Sequence, residues 1–165
     1  MNRLNLLPLN LIRTALFCGL ISAPNVMAHT DHQPTNKNYD AALAKKLGAD
    51  ERGMRGFVHV VLKTGPNDAK ITDKAERKRL FAGHFANMAR LAKAGKLLVS
   101  GPFFEGKPMR GLLIFNVATL KEAESLIKTD PTVEAGIFVY EMTKLYGPAG
   151  LVQMNEIQGK LRKDK

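Results

Sequence analysis

Cysteine is almost missing from this chain. Cys18 is the only one, and it falls in a segment that reads as a leader. Arg3 opens a short basic region, the apolar run "TALFCGLIS" (14–22) follows, and "NVMA" (25–28) places small or branched residues where a signal peptidase reads. The expectation is a signal peptide over 1–28, cleavage after Ala28, and a periplasmic or secreted product. Phe17 stands where a lipoprotein signal needs a small residue before its cysteine. A mature chain cut there would hold no cysteine, which excludes disulfides, thiolate catalysis and cysteine metal sites together.

Long hydrophobic runs are also lacking: residues 14–22 are too few to span a bilayer as a helix, so no stable membrane anchor is expected. There is no GxGxxG, no P-loop and no Walker lysine, so no organic cofactor is expected. Acidic residues are the minority, 15 against 25 Lys and Arg, for a net charge of +10. The basic residues are spread along helix backs and the tail "GKLRKDK" (159–165), without interleaved aromatics or a nucleic-acid motif. Nucleic acid is therefore not the expected partner; small acidic ligands or anionic envelope surfaces fit better. Cleavage after Ala28 would expose His29, with His32 three residues on, a pairing that can chelate Cu(II). "HTDH" lacks the further ligands of a tight site, and the segment reads as a polar tail rather than a metal centre.

What is present follows a regular order. Residues 29–55 read as a polar linker with a short helix, "YDAALAKKLGAD" (39–50), ended by Gly48. "GFVHVVLKTG" (56–65) is β-rich and stopped by Gly65-Pro66. A helix follows, with Asp73 and Glu76 as a capping box and Gly95 at its end. Leu80, Phe81, His84, Phe85, Met88, Leu91 and Ala92 recur along it at the spacing of one buried stripe. "KLLVSGPFF" (96–104) and "MRGLLIFNV" (109–117) are strands around the turn "EGKP". Thr119 and Glu122 cap "LKEAESLIK" (120–128), Pro131 forbids that helix from running on, and "AGIFVYEMTKLYG" (135–147) is the last strand. Residues 148–165 read as a basic tail.

The order β-α-β-β-α-β is most simply met by an α+β, ferredoxin-like fold: one antiparallel sheet with two helices on one face. Strands such as "FVHVVL" and "GLLIF" are apolar on both faces. The bare face therefore predicts a second layer, most simply another copy's sheet in a homodimer of dimeric α/β-barrel type.

"HFANMARLAKAGKLLVSGPF", then "GLLIF", then "DPTVEAGIF", in that order and spacing, resemble the YciI-like (YCII-related) domain family over residues 56–147. The resemblance implies a ferredoxin-like fold, a dimer with packed sheets, and a site built on a His–Asp pair, here His84 and Asp130. Most members have no assigned reaction; relatives include a dehydrochlorinase acting on a chlorinated aromatic diol. An imidazole near an Asp stiffened by Pro131 would be held in one tautomer, as a general acid/base requires. The bland alternative is a hydrogen bond that only docks one helix against the loop after the other.

Ser100 sits beside the glycine and proline that close its strand, and its hydroxyl is expected at the same cleft, with Gly101 and Pro102 shaping the wall. Serine as nucleophile would need a base and an oxyanion hole that the sequence does not show. His59 alternates away from Val58, Val60 and Leu62, and either lines the cleft or sits at a dimer interface. Glu141 interrupts a buried strand and is expected in the same inter-sheet space, with Tyr140 on the other face. Two functions fit: a small lyase or isomerase moving a proton on a small anionic or aromatic substrate, or a non-catalytic small-ligand-binding or assembly module of the same fold.

Overall fold

Asp40 starts the first helix, α1 (Ala41–Leu47), by accepting the Leu43 amide at 2.8 Å, and Gly48 ends it in the left-handed conformation at φ 67°. The computed structural model describes residues 36–163; the segment 1–28 with Cys18, and the His29/His32 pair, lie outside the described residues. Strand β1 (Met54–Thr64) follows, then α2 (Lys74–Lys93), where Asp73 accepts the Glu76 amide at 2.7 Å. Strands β2 (Leu97–Pro102) and β3 (Met109–Phe115) form the next hairpin. Thr119 caps α3 (Leu120–Ile127), accepting the Glu122 amide at 3.1 Å. A single-turn helix, α4 (Pro131–Glu134), precedes β4 (Phe138–Pro148), and the chain closes with a 3₁₀ turn (Ala149–Gln153) and α5 (Met154–Leu161).

The sheet order is β2-β3-β1-β4 with every neighbour antiparallel, the ferredoxin-like arrangement. Val58, Val60 and Leu62 of β1, with Leu113 and Phe115 of β3, bury one sheet face against Leu80 and Leu91 of α2 and Ala123 and Ile127 of α3. Each such large side chain contributes roughly 1.5–3 kcal/mol by leaving water.

Two β-bulges break the alternation of side chains. Between β1 and β3, Leu62 opposes Gly111 while Lys63 opposes Met109, so Arg110 is the extra residue. Between β2 and β3, Leu97 opposes Phe115 while Val99 opposes Ile114, so Leu98 is the extra one. Ser100 then falls opposite Leu113, on the helix-covered face.

The structure departs from the sequence reading at three places. Phe85, placed on the buried stripe of α2, is 65 % exposed, and Asn87 is buried instead. The loop expected after α3 holds the extra helix α4. The segment read as a basic tail is folded: Asn155 donates through Nδ2 to the carbonyls of Leu97 at 2.7 Å and Ala92 at 3.3 Å, which ties α5 to β2 and α2. On the sheet's second face Phe57 is buried, as are Leu47 of α1 and Ala149 of the 3₁₀ turn, so the chain's own ends close part of that face. Glu141 and Thr143 farther along β4 stay exposed, and Glu141 pairs with Lys63 at 2.6 Å. Tyr140 packs against the helix-side core.

Candidate active site

Two helix ends bring the central pair together. Asp130 is extended (φ −84°, ψ 120°), because the proline that follows disfavours the helical region, and it caps α4. Its Oδ1 accepts the Thr132 amide at 2.9 Å and the Thr132 hydroxyl at 2.7 Å. Its Oδ2 lies 2.6 Å from His84 Nδ1, on the third turn of α2. Close approach of α2 to α4 depends on Gly83, where a Cβ would stand 2.9 Å from Pro131 Cγ.

Asp130 is 0 % exposed. Burial alone would raise its pKa, but the hydrogen bonds from His84 and Thr132 outweigh it and hold the carboxyl below its ordinary value. A carboxylate only accepts, so the proton of the shared bond sits on His84 Nδ1. In the neutral ring Nε2 then carries the lone pair, and among the described residues no hydrogen bond engages it.

His84 lines a cleft of about 310 Å³ between α2 and the β2–β3 end of the sheet. The ring is packed edge-on among Phe81, Phe85 and Phe138, at centroid distances of 6.3, 5.2 and 5.7 Å. Met88 and Leu113 extend the apolar wall. Ser100, Gly101 and Pro102 line the cleft from β2, as the position of the "VSGP" turn suggests. His59 does not reach it: its partners across the sheet are Ile114 and Thr143, and strict alternation along β1 puts it on the other face. Among the described residues no three His, Cys, Asp or Glu side chains gather as a metal site, and no helix is long and apolar enough to cross a membrane.

Three participants escape a reading of the sequence alone. Thr132, two residues after Asp130, is visible only as a turn residue until Asp130 is seen to be buried. Arg110 lines the cleft because a bulge turns it there, and no alternation rule gives that. Asp68, 6 % exposed, is held below the ordinary carboxylate range chiefly by its hydrogen bond from Arg77, and it ties the turn before α2 to that helix. The signal for it was a charge pair nine positions apart, which has no helical meaning across a loop.

A family model described as the YCII-related domain matches residues 57–145. No curated protein matches the chain. Among solved structures, the chain is similar to the 5-chloro-2-hydroxyhydroquinone dehydrochlorinase of Burkholderia phenoliruptrix in complex with 2,5-dihydroxybenzoquinone. That likeness is 21% in sequence identity, covers 53% of this chain and 90% of that one, and has a TM-score of 0.41.

Proposed function

The chain belongs to the YCII-related domain family, and we propose that it is a small lyase- or isomerase-type enzyme in which His84 moves a proton. The observation that carries this reading is the pairing of a cleft-lining imidazole with a wholly buried carboxylate at 2.6 Å. Asp130 fixes the ring and its tautomer, and Nε2 serves as base and then as acid. His84 is the one histidine among the lining residues, and no Asp, Glu, Cys or Lys lines the cleft with it, so one group takes and returns the proton, which suits an isomerisation or an elimination. The aromatic walls favour a small, flat substrate.

The test is a turnover screen of small aromatic acids and phenols with the wild type and His84→Gln. An enzyme of this kind loses roughly 10²–10⁴-fold in rate in the variant while substrate binding stays nearly intact. The rival reading, a binding module, is favoured by the largely apolar lining; it predicts ligand binding, no turnover, and affinity that falls with the contacts removed.

Two further proposals concern setting. A second copy covers the open part of the sheet face that carries His59, Val61 and Thr143, giving a homodimer of packed sheets. Its measure is the sedimentation mass of the wild type against Val61→Lys, which should be monomeric. The chain is also proposed to be exported after cleavage at Ala28, which N-terminal sequencing of the product from a secreting host decides.

A further inference from the structure

We propose that Arg110 forms an anion subsite in the cleft, so that the ligand is a small aromatic anion held with its carboxylate or phenolate on Arg110. The proposal rests on the cleft being the ligand site, as argued above.

Among the lining residues Arg110 is the one permanently charged side chain, and no carboxylate lines the cleft with it. The bulge between Leu62 and Lys63 aims it there; strict alternation would send it to the sheet's other face, away from Gly111 and Leu113. Its guanidinium lies over the Phe138 ring at 5.2 Å, and the same ring is packed edge-on by His84 at 5.7 Å and by Phe81 at 5.8 Å. Arg110 and His84 thus approach the cleft around one shared aromatic side chain. A flat ligand against Phe138 has both a cation and an imidazole beside the ring it packs on.

The charge on Arg110 is not used up inside the protein. Its guanidinium donates to Asp68 Oδ2 at 3.3 Å, and that oxygen also receives Lys107 at 3.1 Å. Asp68 Oδ1 is taken by Arg77 Nη2 at 2.6 Å, and Arg77 Nη1 is spent on the Asp68 carbonyl at 2.9 Å. One buried carboxylate therefore serves three cations. Arg77 holds it most closely and is fixed in place, whereas Arg110 makes the longest contact and is only partly exposed. A guanidinium has five N–H donors, and one long bond leaves most of them for a ligand. Local charge is positive in excess, in a site walled by phenylalanines where water competes weakly. Arginine suits a planar anion, because its fork donates two parallel bonds.

The experiment titrates the full chain with benzoate and with its neutral analogue benzamide, reading affinity by calorimetry and the His84 ring by NMR. Wild type should hold benzoate at least about tenfold more tightly than benzamide, the advantage expected of a charge-assisted pair. Arg110→Gln should abolish that preference and leave benzamide affinity unchanged. Arg110→Lys, which keeps the charge on Asp68 and guards against misfolding, should lose part of the preference. Lys107→Gln also takes a cation from Asp68 but does not line the cleft, and should keep all of it. Equal binding of the two probes, a preference that survives Arg110→Gln, or no benzoate binding at millimolar concentration would each overturn the subsite. The acid/base reading fails separately: a preference that follows Arg110 while the His84 ring stays silent keeps the subsite and removes His84 from the reaction.

Discussion

His84 Nδ1 and Asp130 Oδ2 meet at 2.6 Å across 46 positions of sequence. The bond joins α2 to the cap of α4 and is shielded at one end by complete burial of the carboxylate. Its partner ring lines the cleft.

Replacing Asp130 by Ala should be costly. The change leaves the Thr132 amide and hydroxyl and His84 Nδ1 without their acceptor. Breaking a buried pair from one side costs about 3–5 kcal/mol. Urea unfolding followed by circular dichroism should show that drop, and a loss below about 1 kcal/mol would mean that water replaces the carboxylate.

Acid should weaken the fold through the same residue. The Asp130 pKa is lowered in the folded chain from an ordinary value of 3.8, so the unfolded chain binds more protons in that range. Its contribution is complete above about pH 4 and is lost as pH falls toward the folded value. Asp68, lowered chiefly by Arg77, acts with the same sign. Unfolding free energy measured from pH 5 downward should fall less steeply in Asp130→Asn than in wild type; parallel curves would refute the assignment.

Gly83→Ala tests the approach of the two helices. The added methyl meets Pro131 Cγ at 2.9 Å, and overpacking of this kind typically costs 1–3 kcal/mol. Displacement of α4 should lengthen the His84–Asp130 bond, seen as loss of the downfield Nδ1 proton signal. An unchanged signal would show that the proline yields without moving Asp130.

Asn155→Ala should release the C-terminal helix. Both of its side-chain bonds go to backbone carbonyls, of Ala92 and Leu97, and each contributes on the order of 1 kcal/mol. Amide exchange should quicken across 154–161 while β1 keeps its protection. Uniform protection would mean that apolar contacts alone dock α5.

Local rules already determine much of this protein. Caps, glycine stops and hydrophobic spacing place α1, α2, α3 and all four strands, because those signals act within a few residues. The β-α-β-β-α-β order then leaves one economical sheet. The pairing of His84 with Asp130 came from family motifs, since nothing within one helix points to a residue 46 positions away. Tertiary structure decided the rest. Phe85 shares the spacing of the buried stripe yet stands at the cleft mouth, because exposure depends on what faces a helix. His59 left the site and Arg110 entered it for one reason: alternation holds along β1 at His59 and breaks at the bulge by Arg110. A bulge is settled by the competition of two strands for register and core space, so one strand's sequence does not contain it.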